Sequence, residues 1–337
     1  MTRFLSITCM KNEGSFLLEW LAYNRAIGFT DVLVYSNDCE DGTDRMLDRA
    51  QELGLLTHVR NDDIKARGPQ WTALRQAQRH PLTKSADWIM FHDVDEFLNI
   101  HVGGRRLPDL LATMPEADAF ALPWRMFGNG GIVAYRDRPI RETFVHSARP
   151  DLFWPWRARM IKTLFRRGPY KQLGVHRPKG DAPGAVWTDG SGRRLPDWFS
   201  RKGVLVNLDP DLGTVAQINH YALGSMEGYL VKCDRGRANR AAQPFDTSYW
   251  TDRNFSQIED RSILALPVEP IRDPLLEEMH AEAVAWRKAR IRTLLAEDEW
   301  RSLFGRLLMA PPSRHLSPAE VDLILRHLPT EPPPPRN

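Results

Sequence analysis

The chain has 337 residues, of which 42% are hydrophobic and 26% are charged, a composition typical of a globular protein with a substantial core. The net charge of +3 is too small to indicate nucleic-acid binding. The three cysteines, Cys9, Cys39 and Cys233, lack the spacing of metal ligands and suit free thiols in a reducing compartment.

The amino-terminal stretch MTRFLSITCM is too short for the hydrophobic core of a signal peptide, because Lys11 follows it directly. No later apolar run approaches the length that a transmembrane helix needs. We therefore expect a cytoplasmic protein without a membrane-spanning helix.

The first 125 residues alternate between strand-like and helix-like patterns. Strands are predicted at residues 3–10, 31–37, 55–59, 87–93 and 118–124. Helices are predicted at residues 13–28, 43–54 and 70–80, with Gly28 and Gly54 placed to end the first two. This alternation predicts an α/β fold with a doubly wound, mostly parallel sheet and helices on both of its faces.

The chain beyond residue 125 is less regular and rich in Arg, Pro and Trp. We expect an elaborated second half that packs on the same sheet, followed by helices within residues 269–308. The predicted organisation is one domain over residues 1–310, with divisions near 125 and 265. A Pro-rich tail over 311–337 should contain one short helix and a disordered end.

Polar and mostly acidic segments follow the first four predicted strands. These segments are KNEG, SNDCEDGTD, RNDD and HDVDE. In open α/β sheets, ligands bind outside the carboxyl ends of the strands. Four such segments at one edge therefore favour a binding site over four unrelated solvated loops.

The segment HDVDE carries the sharpest chemical signal. Side chains alternate along an extended strand, so Asp93 and Asp95 are predicted to point to one side and Val94 to the other. Two carboxylates on one side suit Mg²⁺ or Mn²⁺, which keeps open positions for phosphate oxygens. The alternative is a solvated acidic turn in which Glu96 pairs with an arginine.

Several segments together resemble glycosyltransferases of the GT-A fold, in particular the family-2-like group related to glycosyltransferase family 92. In the first half they are CMKNEGSFLLEWLAYNRAIGFTDVLVYSNDCEDGTDRML, GPQWTALRQA and ADWIMFHDVDEFL. Later segments are WRMFGNGG, KTLFRRG, GVHRP and INHYALGSMEGYLVKCDRGRANR. The resemblance covers about residues 3–240, and the order and number of the segments make it specific.

The resemblance implies a metal-dependent transfer of a sugar from a nucleotide-diphosphate donor to an acceptor hydroxyl. The acceptor would be a carbohydrate or glycolipid, as in polysaccharide or glycoconjugate synthesis. Residues 1–125 would bind the nucleotide, and residues 126–265 the acceptor and metal. Such enzymes often work at the inner membrane face, so the resemblance also implies peripheral contact with the membrane. The segment DLFWPWRARMIK suits either that contact or a buried Trp cluster.

The resemblance also assigns roles to individual residues. Asn12 and Glu13 would lie near the base and ribose, and Asp38 and Asp41 near the nucleoside. Gln70 and Arg75 would face the diphosphate, and Asp93 and Asp95 would bind Mn²⁺ or Mg²⁺. Family members often add a late histidine to the metal, which points to His220 or His176. Cationic residues that would offset diphosphate charge are Lys162, Arg166, Lys171, Lys232, Arg235 and Arg237.

The catalytic base that deprotonates the acceptor hydroxyl should be a carboxylate. Candidates are Glu142, Asp151, Asp189 and Asp197, and their spacing selects none of them.

Three other functions remain alternatives at this point. A nucleotidyltransferase shares the fold and the metal chemistry. A haloacid-dehalogenase-type phosphatase also places D-x-D after a buried strand, but here three strand–helix units precede it and Phe97 replaces the expected small hydroxyl residue. A non-catalytic carbohydrate- or partner-binding protein would not need the intact pair Asp93 and Asp95.

Overall fold

A computed structural model describes residues 1–64, 68–180, 182–205, 212–236 and 246–327. Within these residues, one mixed sheet contains nine strands and a small sheet contains two. The strands are β1 (Phe4–Met10), β2 (Asp31–Ser36), β3 (Thr57–Arg60), β4 (Trp88–Phe91), β5 (Glu96–Ile100), β6 (Ala119–Met126), β7 (His146–Ser147), β8 (Ile161–Arg166), β9 (Trp187–Asp189), β10 (Ala216–His220) and β11 (Ile258–Glu259). Strands β7 and β11 form the small sheet.

The α-helices of the described residues begin directly after β1. They are α1 (Gly14–Ile27), α2 (Thr43–Glu52), α3 (Pro69–Ala77), α4 (Pro81–Ser85), α5 (Leu107–Thr113), α6 (Ile140–Thr143), α7 (Phe199–Lys202), α8 (Met226–Arg235), α9 (Thr247–Thr251), α10 (Pro274–Leu295), α11 (Asp298–Met309) and α12 (Pro318–Leu325). Short 3₁₀ turns cover Trp156–Arg159 and Ser262–Ala265.

The first half of the chain forms the parallel part of the sheet, in the order β3-β2-β1-β4. Each of these strands pairs with its neighbour in parallel, as in the registers Thr8 to Val34 and Ile7 to Phe91. The carboxyl ends of β1, β2 and β4 therefore meet at one edge, as the sequence predicts. The predicted fold class, an α/β fold with a mostly parallel sheet, is confirmed.

Helices cover both faces of this sheet because its central strands are apolar on both sides. On one face, Leu17 and Trp20 of α1 join Met46 of α2 and Leu276 of α10 in one core. On the other face, Ala73, Leu74 and Ala77 of α3 pack against Leu5 and Ile7. Gly28, with φ of 112°, ends α1 in the left-handed conformation that glycine adopts at least cost.

The second half of the chain extends the same sheet. Strand β8 lies antiparallel between β4 and β6, and β10 lies parallel to β6. Strand β5 closes the order by pairing antiparallel with β10. The expectation that this half packs on the sheet is confirmed. Strand β5 was not predicted, because its sequence EFLNI follows the acidic segment without any intervening turn residue.

The carboxyl-terminal helices lie where the sequence predicts them. Helix α10 packs against α1, α2 and α8, and α11 packs against α8. The predicted short helix of the tail is α12, whereas residues 328–337, including the predicted disordered end, lie outside the described residues. The domain boundary at residue 310 stays a prediction. None of the described helices is long and apolar enough to cross a membrane.

We predict that Gly190→Ala destabilises the protein by about 1–3 kcal/mol, as overpacking does. A Cβ atom at Gly190 would lie 2.3 Å from the carbonyl oxygen of Ala216 and 2.5 Å from Cδ of Pro123. Urea unfolding would measure the loss. The control is Gly305→Ala in α11, where a Cβ meets nothing within 4 Å. That variant should gain up to about 1 kcal/mol from helix propensity. Equal stability of both variants would contradict the prediction.

Candidate active site

The acidic residues after β4 lie in a tight turn, not in an extended strand. Strand β4 ends at Phe91, and β5 already begins at Glu96. The backbone N–H of Glu96 donates to the carbonyl of Asp93 at 3.1 Å, and the N–H of Asp93 donates to Oε2 of Glu96 at 2.9 Å. The prediction that Asp93 and Asp95 share one side of a strand is therefore wrong. The turn directs the two carboxylates to different partners.

Asp93 is held by Lys162 of β8 and Gln70 of α3. The Lys162 ammonium lies 3.2 Å from Oδ2 of Asp93 and 3.1 Å from Oε2 of Glu96, and its side chain is fully buried. The Gln70 amide donates to Oδ1 of Asp93 at 3.2 Å. Burial alone would lower the pKa of Lys162, but Asp93 and Glu96 outweigh it and raise that pKa. Lys162 is therefore a buried, protonated cation that compensates this end of the turn.

Asp95 contacts residues of α8 and β10, in the second half of the chain. Its Oδ2 accepts a 2.6 Å hydrogen bond from Lys232 of α8, which also donates to the carbonyl of Ala222 at 2.6 Å. Its Oδ1 lies 3.8 Å from Nε2 of His220, the last residue of β10. Although burial opposes ionisation, Lys232 and His220 lower the pKa of Asp95 to about 2. Asp95 is therefore a partly buried carboxylate that stays ionised at neutral pH.

His220 has the properties of a metal ligand. Its side chain is buried, and burial lowers its pKa to about 3, so the imidazole is neutral. Within the described part of the chain, its Nδ1 atom is buried without a hydrogen-bond partner. The other ring nitrogen, Nε2, is the atom that faces Oδ1 of Asp95. A neutral imidazole and an ionised carboxylate fit a divalent cation that takes its other ligands from water and phosphate.

The predicted three-residue ligand set is thus reduced to Asp95 and His220. Among the residues that the structure describes, no group of three or more His, Cys, Asp and Glu side chains converges on one point. Asp93 faces Lys162 and Gln70 instead. Nδ1 of His176, the alternative late histidine, donates to the carbonyl of Ile161 at 3.0 Å.

A large cavity of about 1030 Å³ opens beside Asp95. Its wall includes Asn12 and Glu13 after β1, the segment 132–144, and residues of α8 and α10. Cationic residues outnumber acidic ones in this wall. The cationic residues are Arg136, Arg138, Arg141, Lys232, Arg235, Arg261 and Arg287, and the acidic residues are Glu13, Asp95 and Glu142. Such a wall favours an anionic ligand.

The sequence of the region that builds this edge matches a known family. The model of the family described as glycosyltransferase family 92 matches residues 6–194. The chain belongs to glycosyltransferase family 92. The resemblance found in the sequence is thereby confirmed. The family match ends before His220, Lys232 and Arg287, so the roles of these residues are argued from this structure alone.

Curated family 92 proteins from two plants match shorter segments. One, from Oryza sativa subsp. japonica, is 30% identical over 107 residues, which are 31% of this chain and 17% of the relative. Another, from Ricinus communis, is 28% identical over 101 residues, which are 28% of this chain and 17% of the relative. The matched part therefore spans less than a fifth of the length of these relatives.

Two solved structures are weakly similar to this family 92 chain. The crystal structure of S. aureus TarS is 17% identical with a TM-score of 0.32 and covers 49% of this chain and 28% of that one. Glucosyl-3-phosphoglycerate synthase from Mycobacterium tuberculosis, in complex with Mg²⁺ and uridine-diphosphate, is 16% identical with a TM-score of 0.29. It covers 49% of this chain and 57% of that one.

The residues predicted to contact the nucleoside of a family 92 donor differ in their surroundings. Asp38 is exposed, and its Oδ2 lies 4.0 Å from the ammonium of Lys11. Asp41 is buried, and its oxygens accept hydrogen bonds from the N–H groups of Gly14 and Thr43, each at 2.9 Å. These bonds hold the first turns of α1 and α2. Asp41 therefore has a structural role in this arrangement, and Asp38 stays the candidate for a nucleoside contact.

Other predicted residues lie at or near the cavity. The amide oxygen of Asn12 accepts from the N–H of Glu40 at 2.7 Å, and Glu13 forms an ion pair with Arg235. Arg75 is exposed on α3. Arg237, named among the cations, lies outside the described residues. Arg287 was missed, because the sequence pattern of α10 identifies a helix and not which of its arginines faces a cavity.

The structure places the four candidate bases in different environments. Glu142 is exposed and lines the cavity. Asp189 is buried, and its Oδ1 accepts from the N–H and hydroxyl of Ser191 at 2.9 and 2.6 Å, which closes the turn after β9. The side chain of Asp197 is 84% exposed, and that of Asp151 pairs with Arg149. Of these four, Glu142 is the carboxylate in the cavity wall.

We predict that Lys162→Met lowers the free energy of unfolding by about 3 kcal/mol. This value is near the lower end for a broken buried pair, because Asp93 stays partly exposed. The double variant Lys162→Met with Glu96→Gln should recover part of that loss, since Glu96 then needs no cation. Urea unfolding would measure all three proteins. Lys84→Met, on the exposed face of α4, is the matched control and should be neutral. Wild-type stability of Lys162→Met would contradict the role of this lysine.

Proposed function

We propose that this protein transfers a sugar from a nucleotide-diphosphate donor to an acceptor hydroxyl with the help of a divalent cation. One observation carries the proposal: the ionised Asp95 and the neutral, buried His220 lie 3.8 Å apart, and Asp95 lines a cationic cavity. Membership of glycosyltransferase family 92 supports the reaction class.

The donor would bind at the carboxyl edge of the parallel strands. Asn12 follows β1 and Asp38 follows β2, so the nucleoside would lie beside them, as ligands do in open α/β sheets. Lys232 and Arg235 lie one turn apart on α8 and face the cavity. Their charges would offset those of the diphosphate.

Asp95 and His220 would hold Mn²⁺ or Mg²⁺, which when bound neutralises charge on the departing nucleoside diphosphate. The protein prepares this pair in two ways. Lys232 keeps Asp95 ionised, and burial keeps the imidazole of His220 without a competing proton. Asp93 would act indirectly, since its bonds with Lys162 and Gln70 fix the turn that carries Asp95.

Glu142 would act as the base for the acceptor. A carboxylate within reach of the acceptor hydroxyl removes its proton as the glycosidic bond forms. Glu142 belongs to the cavity wall, whereas Asp189 is engaged in a turn and Asp197 points to solvent. The acceptor, a carbohydrate or glycolipid, would then occupy the side of the cavity near the segment 132–144.

A location at the inner membrane face, with peripheral contact, is part of the proposal. It is supported by the predicted aromatic and cationic segment. The ring of Trp156 is 43% exposed, and the guanidinium of Arg157 lies 4.6 Å from it. Indole and guanidinium groups of this kind favour the headgroup region of a bilayer.

We predict that Asp95→Asn weakens the Mn²⁺-dependent binding of UDP or GDP by about 100-fold or more, since even indirect changes to a metal site cost up to that. Isothermal titration with and without Mn²⁺ would measure it. The assay of UDP- and GDP-sugars should show release of the nucleoside diphosphate. Release of sugar 1-phosphate, the leaving group when the nucleotidyl group of such a donor is transferred, would instead indicate a nucleotidyltransferase, and binding without release a non-catalytic protein. Asp197→Asn is the control, and equal affinity of both variants would reject the role of Asp95.

We predict that Glu142→Gln lowers the rate of sugar transfer by about 10²- to 10⁴-fold, the range for loss of a general base. Donor binding should be unchanged, because the amide keeps the size of the side chain and the residue would contact the acceptor. Asp189→Asn should lower the melting temperature and leave the rate of the folded enzyme near that of the wild type. Full activity of Glu142→Gln would leave the base unassigned among these candidates.

A further inference from the structure

Arg287 of α10 is a buried cation in the cavity wall. The residue is 7% exposed, and its guanidinium carbon lies 4.5 Å from the ring centroid of Phe16 and 5.3 Å from that of Tyr135. It makes a long hydrogen bond of 3.4 Å to the carbonyl of Gly228, and its Nε atom is buried without a partner. Within the described ranges of the chain, no carboxylate forms an ion pair with it. No ion pair therefore compensates its charge within these residues, and the attraction of Asp41 is too weak to offset the effect of burial on its pKa.

A second guanidinium lies close by. Arg235, at the end of α8, forms an ion pair with Glu13 and donates to the carbonyl of Lys11 at 3.1 Å. Burial and the charge of Arg287 together lower the pKa of Arg235 to about 10. Burial also lowers the pKa of Arg287. Of these two neighbouring guanidinium groups, the described residues give an ion pair only to Arg235, with Glu13.

A buried cation without an ion-pair partner destabilises the folded protein unless a ligand neutralises it. The aromatic rings of Phe16 and Tyr135 both contact the Arg287 guanidinium and restrict its position. A planar guanidinium with a vacant Nε–H is suited to bidentate hydrogen bonds with an oxyanion. If Arg287 only filled space in the core, an apolar side chain of the same length would fill it equally well.

We propose that Arg287 and Arg235 form a binding subsite for a phosphate group of a ligand in the cavity. The subsite stands on this geometry, and it rests on the proposed function only for the source of the phosphate. That source is either the diphosphate of the donor or a phosphate group on the acceptor.

The test compares the whole protein with Arg287→Met, which keeps the length of the side chain and removes its charge. Inorganic pyrophosphate is titrated calorimetrically in EDTA, so that no metal contributes to binding. Wild type should bind it, and Arg287→Met should bind at least about tenfold more weakly, as loss of a charged hydrogen bond implies. The matched control is Arg290→Gln, one turn away on α10, where Arg290 pairs with Asp234 at 2.6 Å. It should bind like the wild type.

Thermal unfolding separates a ligand-binding role from a structural one. Without ligand, Arg287→Met should melt at the wild-type temperature or higher, because a buried charge without an ion pair is removed. Pyrophosphate should raise the melting temperature of the wild type and of Arg290→Gln but not of Arg287→Met. Should Arg287→Met fail to fold, Arg287→Lys keeps the charge without the planar fork, and weaker binding by that variant supports the subsite equally.

Titrations with UDP, uridine and glucose 6-phosphate identify the source. If Arg287→Met loses affinity for UDP but not for uridine, the subsite holds the donor diphosphate; if it loses affinity for glucose 6-phosphate alone, the subsite holds an acceptor phosphate. Wild-type affinity of the variant for every phosphate, or no binding of pyrophosphate by the wild type, would overturn the proposal. Pyrophosphate binding that depends on Arg287 in a protein that cleaves no nucleotide-sugar would refute the transferase and leave the subsite standing.

Discussion

The arrangement of this site depends on how a buried acidic turn is compensated. Asp93, Asp95 and Glu96 follow one another within four residues, and carboxylates at that spacing repel each other in a low dielectric. Two lysines from the second half of the chain offset them, Lys162 at one end and Lys232 at the other. The turn can therefore be buried only once β8 and α8 have packed against the first half.

The two lysines also give the three acidic residues different roles. Lys162 is fully buried and contacts both Asp93 and Glu96, so these two carboxylates are committed to the fold. Lys232 contacts a single oxygen of Asp95, and the other oxygen faces His220. One carboxylate oxygen thus stays directed toward a possible ligand position.

The sequence predicted the parts of the structure that local patterns determine. The alternation of apolar and amphipathic segments, with glycine after α1 and α2, predicted the parallel sheet and its helices. The polar segments after β1, β2 and β4 predicted the edge where the site lies. Such local patterns could not predict which residues pair with Asp93 and Asp95. Lys162 and Lys232 are 69 and 137 residues away from Asp93 and Asp95, and no local periodicity encodes pairing over that distance. The pairing of strand β5 is likewise not local, since its partner β10 comes more than a hundred residues later.

The two halves of the proposed site have different origins in the chain. The family match covers the edge of the sheet with Asn12 and Asp95, together with the segment that carries Glu142. The cations of the cavity wall come from both sides of residue 194: Arg136, Arg138 and Arg141 lie within the match, and Lys232, Arg235 and Arg287 lie on α8 and α10 beyond it. The matched part therefore carries the sheet edge and part of the cationic wall, and the two later helices add the rest. Because α10 also packs against α1, which begins directly after Glu13, the wall and the sheet edge are joined by a rigid contact. A change in the α10 side chains can then alter the charge of the cavity without moving Asp95, which gives such a scaffold a way to keep its reaction and change its substrate.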